Sequence, residues 1–182
     1  VWQMKILIAD DNKENRYLLE ILLKNGGNDV ICAENGKKAL ALLYEQPVGL
    51  IISDVLMPEM DGFRLCVKCK NDEKLEKIPI ILISSNYISK KDEEFAFMLG
   101  AEKFLLRPIE PDALLGIVKE VTDKAKNQDI AARAVFDENT LKFLNMYNDR
   151  VVEQVELKMK ALEEDVLQRK QAEFNLKERI KE

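Results

Sequence analysis

Short apolar runs alternate with amphipathic stretches along the first two thirds of the chain. Met4 to Ala9 (MKILIA) is apolar and rich in Ile, the pattern of a buried strand. Lys13 to Asn25 places apolar residues at Tyr17, Leu18, Ile21 and Leu22, a helical spacing, and Gly26-Gly27 ends it. Asn28 to Ala33 predicts a second strand, and Asn35 is the natural N-cap of a helix through Leu40 and Leu43. Val48 to Ser53 and Pro79 to Ser84 predict the third and fourth strands, with a helix over Gly62 to Asn71 between them. A helix over Ser89 to Leu99, a short strand over Glu102 to Leu106 and a helix from Pro111 to about Ala125 complete the series.

Five strand-helix units in succession imply a parallel sheet covered by helices on both faces. The strands are near-continuous apolar runs, not alternating ones, which fits burial of the sheet on both sides.

The pattern changes after about residue 126. From Leu141 onward there is no Gly and no Pro. Positions spaced alternately by three and four read Val152, Val155, Met159, Leu162, Val166, Arg169, Glu173, Leu176 and Ile180, a heptad seam interrupted at Arg169 and Glu173. Before Val152 the same register meets Asn148, Asn145 and Leu141, so the seam is weak there. The a-type set contains Val152, Val166 and Ile180 and the d-type set Val155, Leu162 and Leu176, and β-branched residues at a with Leu at d favour a parallel two-stranded coil. The alternative is a single helix packed back on the first domain. The expected organisation is a domain over 1–125, a linker over 126–140 and a helical coiled-coil connector over 141–182.

Composition narrows the chemistry. The formal charge is -5 and the pI about 5.1, so nothing attracts the chain broadly to nucleic acid or anionic membranes. The chain has no His, which excludes Ser-His-Asp and Cys-His catalysis and most zinc sites. No apolar run has the length needed to span a bilayer, and the start lacks the pattern of a secretory signal. With three Cys, an odd number, a reducing, cytoplasmic location is expected. Cys66-Val67-Lys68-Cys69 is a C-x-x-C string, but it falls in a helix where Phe63, Cys66 and Val67 share the apolar spacing. It reads as core packing, as does Cys32. Glu163-Glu164-Asp165 and Arg169-Lys170 read as the solvated face of a helix.

The strand ends carry the candidate chemistry. Asp10-Asp11 follows the first strand and Asp54 the third. Ligands of a doubly wound sheet bind beyond the carboxyl ends of its strands. If the first and third strands are neighbours there, three carboxylates converge and repel one another unless a cation intervenes. An all-oxygen site suits Mg²⁺, which would also screen an incoming phosphoryl group from Asp54. Taken singly, Asp10, Asp11 and Asn12 are helix-capping residues and Asp54 a turn residue. Together with Ser84 after the fourth strand and a cation after the fifth, they form one constellation.

The segments ILIADDN, IISDVLMPEMDGF, PIILIS and KFLLRPI resemble the receiver domain of response regulators, in that family's order and spacing, over about residues 4 to 125. The resemblance implies a flavodoxin-like sheet ordered 2-1-3-4-5. It implies Mg²⁺ held by Asp11, Asp54 and the backbone carbonyl of Leu56, with Asp10 assisting through water. It implies a phosphoryl group passed to Asp54 from a phosphohistidine on a histidine kinase or phosphotransfer protein. Ser84 would then bind the phosphoryl oxygen, and Phe104 would change rotamer in step. One residue departs from the pattern: Arg107-Pro108 stands where the family has Lys-Pro. Lys103 lies four residues earlier, roughly 13 Å along a strand, and cannot replace it. Arg107 keeps the charge but is bulkier than an ammonium, leaving a receiver with altered phosphate kinetics or one that signals poorly through phosphate. The peptide before Pro108 is expected to be cis, as in the family. The run LEEDVLQRKQAEFNLKERIKE resembles the connectors that precede sensory or histidine-kinase modules. It suggests a fragment of a longer, homodimeric signalling protein whose helix continues into an output or sensor module, with no DNA-binding domain in these residues.

Overall fold

The structure is a computed structural model and describes residues 4–85, 90–127, 155, 158–162 and 164–173. The chain divides into two compact units, Val1–Ala134 and Val135–Glu182.

The first unit alternates strictly: β1 (Lys5–Ala9), α1 (Lys13–Asn25), β2 (Asp29–Ala33), α2 (Gly36–Glu45), β3 (Leu50–Asp54), α3 (Gly62–Lys70), β4 (Ile80–Ser84), α4 (Lys90–Met98), β5 (Lys103–Leu106) and α5 (Pro111–Asn127). The five strands form one parallel sheet in the order β2-β1-β3-β4-β5. This is the doubly wound, flavodoxin-like arrangement expected from the alternation. Side chains alternate across the sheet with a period of two. Ile6, Ile8, Leu50, Ile52, Ile81 and Ile83 face one layer with Leu23 of α1 and Leu114, Val118 and Val121 of α5. Leu7, Ile51, Ile80 and Leu82 are equally buried, so both faces are covered. Phe63 of α3 and Phe95 of α4 meet edge to face, with ring centroids 5.1 Å apart. Each fully buried aliphatic side chain contributes about 1.5–3 kcal/mol, and β3 and β4 are buried at every position. The sheet centre is therefore the rigid part on which the site stands.

Two details differ from the sequence reading. β3 ends on Asp54 instead of Ser53, because Asp54 still pairs with Ile83 in the ladder. The buried side of α1 is Leu23, with Leu19 and Leu22 packed against the core, whereas Tyr17, Leu18 and Ile21 are exposed. Two helical stripes overlap in this segment, and only one meets the sheet. The free thiols of Cys66 and Cys69 are buried, and burial pushes both up to about 12. They pack as core residues.

In the second unit, the described residues 155, 158–162 and 164–173 are helical. Val155, Met159, Leu162 and Val166 are all exposed along it. Asp165 and Arg169 pair one turn apart at 2.9 Å, on a solvated face. Glu163 and the seam positions Leu141, Asn145, Asn148, Val152, Leu176 and Ile180 lie outside the described residues.

Gly62 locks the chain after β3 against the strand. Its N–H donates to the Val55 carbonyl at 2.9 Å, and a Cβ there would lie 2.3 Å from the Asp54 carbonyl oxygen. Gly62→Ala is expected to lower the unfolding free energy by about 1–3 kcal/mol, the range for an overpacked core site. Urea unfolding at neutral pH measures it, and an unchanged midpoint would mean that the backbone yields there without cost.

Candidate phosphoacceptor site

β1 and β3 are neighbours, and Ala9 pairs with Ser53. Asp10 and Asp54 therefore emerge side by side at the carboxyl edge of the sheet. Both are buried, Asp10 at 1 % exposure and Asp54 at 8 %. Asp10 Oδ1 accepts the Asn12 N–H at 2.8 Å, and Asp54 Oδ2 accepts the Leu56 N–H at 3.0 Å. The helix is capped by Asn12, whose side chain accepts from the Glu14 and Asn15 N–H groups. Neither Asp10 nor Asp11 is needed as a cap. Arg16 from α1 donates to the Asp10 carbonyl at 2.5 Å and pins the strand end.

Arg107 reaches this pair from the end of β5. Its Nη2 donates to Asp10 Oδ2 at 2.5 Å and its Nη1 to Asp54 Oδ1 at 2.9 Å. Nη1 also donates to Ser85 Oγ at 3.0 Å. The Arg107 N–H donates to the Ser84 carbonyl, which ties the end of β5 to that of β4. The Arg107-Pro108 peptide is cis. Lys103, at the start of β5, pairs instead with Glu120 of α5 at 3.1 Å.

The remaining candidate residues surround this cluster in different ways. Ser84 is buried at the end of β4, next to the strand that ends on Asp54. Phe104 is half-buried in β5, opposite Leu82. Asp11 is exposed, although its charge still acts on Asp54. Among the described residues, no group of three carboxylate or thiol side chains is close enough to hold a metal ion. The structure joins two carboxylates through a guanidinium. The loop after β3, which contains Leu56, is anchored from α2: the Gly36 N–H donates to the Met60 carbonyl, and Asn35 Nδ2 donates to Glu59 Oε1. Glu59 takes a left-handed φ of 62° in this loop.

Sequence reasoning missed Ser85 and Arg16. Ser85 was legible only as a second hydroxyl beside Ser84. Arg16 contacts a backbone carbonyl, which no side-chain motif records.

Burial pushes the Asp54 carboxyl up to about 6, and the neighbouring Asp10 charge adds to the effect. The Arg107 guanidinium and the Leu56 N–H pull it back, and Asp11 raises it slightly. A carboxyl shifted in this way is typical of functional sites. Unfolded, the same group releases its proton near 3.8. Between these values the folded chain holds the extra proton, so stability falls as pH rises through the window. The gap corresponds to about 3 kcal/mol. In metal-free buffer, wild type is expected to lose about that much stability from pH 4 to pH 7 relative to Asp54→Asn. Urea unfolding at both pH values checks it, and parallel pH profiles would refute the assignment.

The family model for the response regulator receiver domain matches residues 6–119. An uncharacterised 14.6 kDa protein of Leptolyngbya boryana is 37 % identical over 118 residues, which is 65 % of this chain and 89 % of that protein. Protein PilG of Pseudomonas aeruginosa is 34 % identical over 116 residues, covering 64 % of this chain and 85 % of PilG. Among solved structures, the signal receiver domain of a signal transduction histidine kinase from Syntrophus aciditrophicus superposes with a TM-score of 0.63 at 32 % identity, over 72 % of this chain and 98 % of that one. The chemotaxis response regulator CheY4 of Vibrio cholerae gives 0.62 at 28 % identity, over 66 % of this chain and 99 % of its own. The sheet order, the buried acidic pair at the strand ends and these matches agree: the chain belongs to the response regulator receiver family of two-component signalling.

Proposed function

We propose that the domain accepts a phosphoryl group on Asp54 from a phosphohistidine of a histidine kinase or phosphotransfer protein. The observation that carries this reading is the convergence of Asp10, Asp54 and Arg107 at one strand-end edge. In the transfer, a carboxylate oxygen of Asp54 forms the new O–P bond as the N–P bond of the phosphohistidine breaks. The leaving imidazole nitrogen keeps the electron pair and takes up a proton. Burial of Asp54 weakens its hydration, which favours its use as a nucleophile. Arg107 is placed to meet the charge that develops on the phosphoryl oxygens, with Ser84 as a hydroxyl donor beside it. Phe104 is the residue proposed to shift as Ser84 is drawn inward.

The donor set suits Mg²⁺. Asp10, Asp11 and Asp54 bring three negative charges against one from Arg107, and the excess of two matches a divalent cation. Asp11, Asp54 and the Leu56 carbonyl would hold it, with Asp10 assisting through water. When bound, it would neutralise charge on the phosphoryl oxygens and thereby lower the barrier to attack.

The exposed stripe Val155, Met159, Leu162 and Val166 supports a second part of the proposal. A helix apolar on one side and unpaired is costly in water. The connector over 141–182, joined to the receiver of 1–125 by the segment 126–140, pairs with a second copy and carries the change to an output or sensor module. Three free cysteines suit a cytoplasmic setting, and among the described residues no helix is long and apolar enough to cross a membrane. The grip of Arg107 on both carboxylates favours one other reading, a docking and dimerisation module without phosphate control.

Incubation with acetyl phosphate and Mg²⁺ is expected to add one phosphate to the wild type and none to Asp54→Asn, as read by intact mass. No uptake under several donors would sink the phosphoswitch. Sedimentation is expected to give a dimer that Leu162→Asp dissociates, and to show a change in dimer affinity with a beryllofluoride phosphate mimic. An affinity indifferent to the mimic would favour the docking module, and a monomeric wild type would remove the connector's proposed role.

A further inference from the structure

Arg107 divides one guanidinium between two carboxylates. Nη2 holds Asp10 Oδ2 and Nη1 holds Asp54 Oδ1. The opposite oxygen of each carboxylate is committed to a backbone N–H, Asn12 for Asp10 and Leu56 for Asp54. The two oxygens not bound to backbone are thus the two that Arg107 occupies. The arginine is itself restrained, by Ser85 Oγ on Nη1 and by its own N–H on the Ser84 carbonyl, and its side chain is only 18 % exposed. Among the described residues it is the one cation that bonds both carboxylate groups of this pair, Arg16 reaching only the Asp10 backbone carbonyl.

We propose that Arg107 is a tethered counter-ion that competes with divalent cations for Asp10 and Asp54, so that a metal binds by displacing the guanidinium fork. The proposal rests on the reading of the site as metal-assisted and names how that site is regulated. A planar fork can satisfy two carboxylates at once, whereas an ammonium is a compact point charge without that geometry. Replacing the fork by an ammonium keeps the charge and loses the two-handed grip. The chain therefore needs a higher divalent concentration before Asp54 is ready for transfer, and its metal-free form is held together by its own side chain.

Calorimetric titration of Mg²⁺ into the full metal-free chain tests this, without reference to phosphorylation. Arg107→Gln is expected to bind Mg²⁺ at least about tenfold more tightly than wild type, the scale of one hydrogen bond to a charged group. Arg107→Lys is expected to fall between the two. Affinity of Arg107→Gln equal to or below wild type overturns the competition. Affinity of Arg107→Lys equal to wild type overturns the role of the fork and leaves charge alone. If Arg107→Gln does not fold without metal, the Lys variant decides by the same criterion. Thermal unfolding adds an independent readout: saturating Mg²⁺ is expected to raise the midpoint of Arg107→Gln more than that of wild type, and an equal rise counts against competition. A wild type that takes no phosphate while this order of affinities holds would sink the phosphoacceptor reading and leave the competition standing.

Discussion

Two buried carboxylates side by side, bridged by one guanidinium, are the constraint around which the receiver domain is organised. Asp10 and Asp54 lie at neighbouring strand ends and would repel strongly in a site with little water. Arg107 supplies the compensating charge. Removing one partner of such a group leaves an uncompensated charge, which costs far more than a surface ion pair contributes. Asp54 nonetheless remains hard to ionise. The site is therefore neutralised only in part, and that residual strain is what a divalent cation or a phosphoryl group can act upon.

The fold makes this arrangement possible by topology. The first and third strands pair at the sheet centre, while the chain reverses its winding direction between them. That places two loops at one edge with nothing between them, the usual ligand position of a doubly wound sheet. Arg107 comes from the far strand, and its tie to the Ser84 carbonyl carries it inward across β4. The apolar core beneath is close-packed, and β3 and β4 are buried at every position, so the strand ends that carry Asp54 and Ser84 are fixed from below.

Much of this was legible in the residues. Near-continuous apolar runs marked all five strands, because a sheet covered on both faces leaves no polar side to alternate. Asn35 and Gly26-Gly27 marked their helix ends through local hydrogen bonding. The apolar spacing of α1 marked a helix but not its buried face: of Tyr17, Leu18, Ile21 and Leu22, only Leu22 packs against the core, beside Leu19 and Leu23. Periodicity finds a stripe and cannot tell which of two stripes meets the sheet. Asp10, Asp54 and Arg107 were legible as a set, but their bonding was not. Separation in sequence says nothing about a guanidinium choosing two acceptors, and Ser85 enters only through that choice. Asp11 follows Asp10 at the same strand end; its side chain is exposed and its charge acts on Asp54. The connector's heptads were readable as a pattern, and the described part of the helix does expose Val155, Met159, Leu162 and Val166.

The bridge itself can be observed directly. Nitrogen-15 NMR of the arginine guanidinium groups in the metal-free chain would report whether Arg107 is held on both sides. Separate, slowly exchanging Nη–H resonances are expected for Arg107, which disappear in Asp10→Asn or Asp54→Asn and shift on addition of Mg²⁺. A single averaged Nη signal for Arg107, like that of an exposed arginine and unaltered by either substitution, would contradict it.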